Sequence, residues 1–196
     1  MDNDLEATLT AIHQRRSVRR YRPEPLDAPT IDRLIDAAVW APSALNAQPW
    51  AFGILQDRAA LASYAERAKA VYFVEPAVGE LASAPASALR QLREVLSRPG
   101  YDVFHGAGTL VVIYATAPEA VPDCFLAGQN LMLGALALGL GTCPIGLARP
   151  LLNQADVKDE LGVPPEMVAA LPIVVGVPDE QPVTHPRRPP RILYRR

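Results

Sequence analysis

From Cys124 to Leu147 the chain runs 24 residues without a charged side chain, as "CFLAGQNLMLGALALGLGTCPIGL". A stretch of that length must either cross a bilayer or be hidden inside protein. Against a bilayer, it contains Gln129, Asn130, five glycines and a proline, and it ends in a turn-like "GLGTCPIG". Asp123 precedes it, with no Lys or Arg anchor at that end. The sequence therefore predicts a helix buried on every side and no membrane span. A chain of 196 residues provides one core of ordinary size, so covering this helix all round calls for a second copy of the chain.

The remaining elements read from periodicity and punctuation. Residues 4–14 predict a helix with Leu5, Leu9 and Ile12 on one side. Residues 26–41 predict another, in which Ile31, Leu34, Ile35, Ala38 and Val39 follow Asp27 at a spacing near 3.6. Residues 58–70 and 80–97 read as helices, and 150–162 as a short surface helix closed by Gly162. Strands are expected at 50–57, 109–116 and 171–178, with a closing edge strand in "RILYRR". Five prolines between Pro178 and Pro190 predict an extended stretch lying over a surface. Without a regular βαβ alternation or an internal repeat, this order predicts α+β architecture. One domain spans 1–196, with an extended C-terminal arm from about residue 178.

Charge is distributed unevenly. "RRSVRRYR" (15–22) holds five arginines and residues 187–196 hold five more, whereas 23–186 carry nine basic and eighteen acidic side chains. Both ends are thus positioned to converge on one anion. For any single arginine, pairing with a nearby carboxylate such as Asp2, Asp4, Glu6 or Glu24 competes with that reading. Five arginines around Ser17 favour a phosphate, because guanidinium presents a planar fork of donors and the hydroxyl adds another. Nucleic-acid binding uses the same chemistry but needs a broad basic face or stacking aromatics. Here the body is acidic and aromatics are 6%, so a small phosphate ligand fits better.

Other chemistries find no motif. Gly106-x-Gly108 precedes its strand, whereas a dinucleotide fingerprint must follow one. There is no Walker motif and no G-x-S-x-G elbow. His13, His105 and His185 are scattered, and no zinc spacing occurs, so no metal site is expected. Cys124 and Cys143 match neither a metal pattern nor CxxC and read as buried thiols. The acidic start "MDNDLEATLT" is no signal peptide, and a cytoplasmic location is expected. The loop "PSALNAQPW" (42–50) carries Ser43, Asn46 and Gln48 between prolines. Its amides suit a ring edge with alternating N–H and C=O groups, or else serve the loop's own backbone. Together with the arginines it suggests a flat heterocycle bearing a phosphorylated tail.

"RRSVRRY" after a first helix, "APSALNAQPW", "ALGLGTCPIG" after a long apolar helix and "PRRPP" near the C-terminus occur in the order of one family. The chain resembles the FMN-dependent nitroreductases over nearly its whole length. That resemblance implies an intertwined homodimer, with a central mixed or antiparallel sheet flanked by helices and two FMN sites at the interface. It carries the first flavin contacts to Arg15, Arg16, Ser17 and Arg19. Pro42, Ser43, Ala44, Asn46 and Gln48 would reach the partner's FMN, and the backbone of Pro144, Ile145 and Gly146 would lie against the ring. Arg187, with His185 or Arg188, would grip the phosphate. Many members have Glu before the glycine of that turn where this chain has Gly146 directly, and Lys69 is the candidate for a mid-chain cation contact. The implied activity is ping-pong hydride transfer from NAD(P)H through flavin N5 to a small acceptor such as a nitroaromatic or quinone. The flavin carries the chemistry, so no catalytic side chain is expected. Reductive dehalogenation or flavin breakdown on the same scaffold stands as an alternative, as does a nucleic-acid-binding protein using its basic ends.

Overall fold

The structure, a computed structural model, describes residues 2–75, 81–184 and 186–196. Its strands are β1 (Trp50–Leu55), β2 (Thr109–Ala115), β3 (Gly141–Pro144) and β4 (Val168–Gly176), in the order β1-β2-β4-β3 and antiparallel throughout. The helices are α1 (Asp2–Gln14), α2 (Ala28–Val39), α3 (Arg58–Val74), α4 (Ala86–Leu96), α5 (Val121–Ala137), α6 (Arg149–Leu152) and α7 (Ala155–Leu161).

Period-two alternation explains the layering. β2 is buried along its full length, so its side chains feed both faces of the sheet. Val111, Ile113 and Ala115 join Ile173 and Val175 against α2 and α5, through Leu34, Ala38, Ala127 and Leu131. Leu110, Val112 and Tyr114 join Val174 and Cys143 on the other face. There α3, α6 and α7 supply Leu61, Ala68, Leu151, Leu152 and Val157. β2 and β4 slip by one residue between Ile113 and Tyr114, where Ala169 rather than Ala170 becomes the partner.

Local chemistry sets the helix starts. Asp27 accepts from Thr30 N at 2.9 Å at the head of α2, and Asp57 accepts from Ala60 N at 2.7 Å at the head of α3. The uncharged run from 124 does not stay helical. α5 ends at Ala137, Gly139 turns at φ +73°, and β3 begins two residues later. Among the described residues no helix is long and apolar enough to cross a membrane.

Within one chain α5 is not covered all round, as the sequence predicts for a single copy: Phe125 is 40% and Leu126 46% exposed, and Leu133 and Leu136 are partly exposed. Other expectations are corrected. Residues 150–162 form two helices rather than one, and they are not superficial, since Leu151, Leu152 and Val157 lie in the core. The helix expected over 80–97 spans Ala86–Leu96, and part of the expected range lies outside the described residues. "RILYRR" forms no strand, and Ile192, Leu193 and Tyr194 are exposed.

Candidate functional site

Residues 15–22 leave α1 and run extended beside β3. Ser17 bridges Thr142, whose carbonyl accepts from Val18 N at 3.0 Å. Tyr21 bridges Pro178, Arg22 N donates to Val177 O at 3.0 Å, and Asp179 N donates to Arg20 O at 2.9 Å. The arginine segment is therefore held by β3 and by the residues that follow β4. Glycine at 141 permits this approach, because a Cβ there would lie 2.7 Å from Val18 Cγ2 and 2.9 Å from Val18 Cβ. Side chains complete the clamp. Glu180 Oε1 accepts from Arg19 N at 2.7 Å, and the Arg20 guanidinium donates to Asp179 O at 2.9 and 3.2 Å.

This clamp brings the two basic ends together. A cavity of about 330 Å³ is lined by Arg15, Arg16, Ser17, Arg19 and Arg187, with residues 180–183 closing one side. Burial, then the charges of Arg187 and Arg16, lower the Arg15 pKa below its ordinary value. Arg16 NH1 donates to His13 O at 2.5 Å and Arg15 O at 2.8 Å. Arg15 NH1 and Arg16 Nε, however, are buried with no hydrogen-bond partner. Guanidinium N–H groups without an acceptor are costly inside protein, and their planar fork matches phosphate oxygens. These residues fit a phosphate group.

The surroundings of Arg19 add aromatic and thiol groups. Tyr101 and His105 meet edge to face with ring centroids 6.4 Å apart. His105 sits at φ +57°, in a turn where Asp102 accepts from Phe104 N and Gly106 N, each at 2.8 Å. Burial, then Arg19, lower the His105 pKa, so its imidazole is neutral at neutral pH. Burial pushes the Cys143 thiol up more strongly than Arg19, the Ser17 hydrogen bond and Arg15 pull it down, which leaves an inert thiol. Among the described residues no cluster of acids, cysteines and histidines could hold a metal.

Not every residue singled out in the sequence gathers here. Pro144 ends β3, buried Ile145 donates its N–H to Pro172 O at 2.8 Å, and Gly146 opens a 3₁₀ turn. They continue the strand that touches Ser17 but do not line the cavity. Lys69 does not line the cavity; it donates to Tyr101 O at 3.0 Å and pairs with Glu66 at 2.5 Å. Arg188 is exposed, and His185 lies outside the described residues.

The loop before β1 occupies another corner of the sheet. Trp50 pairs with Ala115 and Ala115 with Val168, whereas Ser17 reaches the sheet through Thr142, opposite Val175. Strand spacing and rise place the two corners roughly 30 Å apart, too far for one small ligand to touch both within a chain. Pro42, Ala44, Asn46 and Gln48 are exposed, and Leu45, Asn46 and Gln48 all have positive φ. Ser43 Oγ accepts from Gln48 N at 2.9 Å, and the Ala44 N–H donates to Asp123 Oδ2 at 3.3 Å. The loop thus satisfies its own backbone N–H groups, and on its exposed side the Gln48 amide donates to Asn46 Oδ1 at 3.3 Å.

Sequence reasoning missed residues 180–183, above all Glu180. The signal was the acidic pair Asp179–Glu180 three residues after β4, which meets Arg19 and Arg20 of the arginine segment.

The described residues define an α+β protein with an arginine-lined cavity at the β3 edge of an antiparallel sheet. Residues 12–176 match the nitroreductase family, so the chain belongs to that family and is an oxidoreductase of its class. A Thermus thermophilus NADH dehydrogenase is 31% identical, over 90% of this chain and 92% of that one. A Rhodospirillum rubrum 5,6-dimethylbenzimidazole synthase is 32% identical, over 92% of this chain and 86% of that one. A Bacteroides fragilis nitroreductase crystallised with FMN shares the fold, with TM-score 0.75, 24% identity and coverage of 95% and 96%.

Proposed function

We propose that the protein is an FMN-dependent, NAD(P)H-oxidising reductase of small acceptors such as nitroaromatics or quinones, working as a homodimer. The observation that carries the cofactor assignment is the cavity where Arg15, Arg16, Ser17 and Arg187 converge and buried guanidinium N–H groups lack an acceptor. Those residues hold the phosphate. Arg19, with Tyr101 and His105 in its neighbourhood, supplies positive charge on the ring side, where negative charge develops on reduction. FMN held there would supply the redox chemistry, hydride acceptance from a reduced nicotinamide and electron delivery to the acceptor, while the chain's own residues bind and orient it.

The homodimer follows from two features. The exposed face of α5 carries Phe125 and Leu126, and the loop 42–48 points outward at the corner away from its own chain's cavity. A second copy about a two-fold axis covers the first and receives the second.

Flavin breakdown is a second reading with specific support, since the relative at 32% identity is a 5,6-dimethylbenzimidazole synthase. The dimethylbenzene ring with two nitrogens in that product is also part of the flavin. The two readings separate in one experiment. The purified protein is given FMN and either NADH or NADPH, with a nitroaromatic or quinone in one arm and air alone in the other. Acceptor-dependent nicotinamide oxidation with flavin conserved supports the reductase. Stoichiometric loss of flavin to 5,6-dimethylbenzimidazole in air supports the synthase instead.

A further inference from the structure

Glu180 is the one acid among the described residues that line the arginine cavity. Its carboxylate accepts from the backbone N–H of Arg19 at 2.7 Å. Among the described residues no arginine side chain closes an ion pair on it. A carboxylate among four guanidiniums whose hydrogen bond goes to a backbone N–H does more than neutralise its neighbours. Its position in the chain suggests what. Glu180 lies between the last backbone link of the arm to the arginine segment, Asp179 N to Arg20 O, and Arg187, which the arm must deliver to the cavity.

We propose that Glu180 is the positioning residue of the phosphate site and that its charge tempers the site's affinity. Its hydrogen bond fastens the arm to Arg19, and that anchor sets where the arm presents Arg187 beside Arg15 and Arg16. Its charge acts in the other direction. It offsets the mutual repulsion of Arg15, Arg16 and Arg187 before an anion arrives, and it opposes the phosphate afterwards. The site therefore gains a fixed geometry at the expense of affinity. This rests on the reading that the cavity holds the FMN phosphate.

Two substitutions separate the two roles. Glu180→Gln keeps an acceptor oxygen for Arg19 N and removes the charge, so the arm should stay in place. Inorganic phosphate and FMN should then bind about tenfold more tightly, while riboflavin is unaffected, as expected for removing one like charge near the site. Glu180→Ala removes both. Hydrogen exchange across residues 181–196 should quicken, and FMN should bind more weakly than in the wild type because Arg187 is no longer presented.

The measurements are calorimetric titrations of the full-length protein with inorganic phosphate, FMN and riboflavin, alongside exchange rates of the arm. An FMN and phosphate affinity in Glu180→Gln equal to or below wild type overturns the proposal and leaves the cofactor assignment standing. Phosphate binding in the predicted order with no FMN binding leaves Glu180 in this role and overturns the cofactor assignment. Unchanged arm exchange in Glu180→Ala, or no phosphate binding by any of the three proteins, also overturns it.

Discussion

Replacing Arg15 by Met separates binding from stability, because the two should move in opposite directions. Met retains most of the apolar stem and removes the guanidinium. In the protein without ligand, that guanidinium is disfavoured by burial and by Arg187 and Arg16, and its NH1 has no hydrogen-bond partner. Removing it should leave the ligand-free protein as stable as the wild type or slightly more so. With FMN present, the same change removes one charge-assisted contact to the phosphate. Such a hydrogen bond is worth about 1.5–3 kcal/mol, so the FMN dissociation constant should rise roughly tenfold to a hundredfold. Riboflavin, which has no phosphate, should bind both proteins equally. Urea unfolding without ligand and flavin-fluorescence titrations with FMN and riboflavin measure the three quantities. If ligand-free stability falls and both flavins weaken together, Arg15 is a packing residue and the phosphate assignment is refuted.

Leu136→Asp places a charge on the incompletely covered face of α5; sedimentation at low micromolar concentration should show monomer, and bound flavin should be lost with it. A folded yellow monomer would contradict the shared site, because an obligate interface of about 2,000 Å² or more should not survive that charge. Gly141→Ala pushes a Cβ to within 2.9 Å of Val18 Cβ, so it should cost about 1–3 kcal/mol in chemical denaturation and weaken FMN binding, since the arginine segment must shift. His105 has a pKa lowered from 6.5 by burial and then Arg19, so the unfolded chain binds more protons between the two values and stability should fall as pH drops below about 6.5. His105→Gln should flatten that slope in urea unfolding at a series of pH values; an unchanged slope would assign it to other groups.

The approach of Arg187 to the first arginine cluster was legible because basic residues gathered at both ends of an acidic body can share one anion. What they pack against was not legible. Glu180 meets Arg19 across 161 positions, and no local pattern encodes a contact that the order of β3 and β4 creates. β3 itself hides in a glycine-rich sequence that reads as a turn, and it becomes a strand because Gly141–Pro144 lies against the end of β4. The start of β4 is masked similarly: Val168–Ala170 lacks β-branched density, yet the strand begins there, three residues before the expected Leu171. The long apolar run announced burial correctly for Ala127, Leu131 and Ala135. Its exposed remainder, Phe125 and Leu126, is the part a single chain cannot cover.

The most direct test of the central claim is an anaerobic titration of the purified, FMN-loaded protein with NADH or NADPH, followed by an acceptor. One equivalent of nicotinamide per flavin should bleach the visible flavin absorption, and a nitroaromatic or quinone should then restore it with the flavin intact. A protein that retains no FMN, or whose bound flavin neither nicotinamide reduces, would contradict the account.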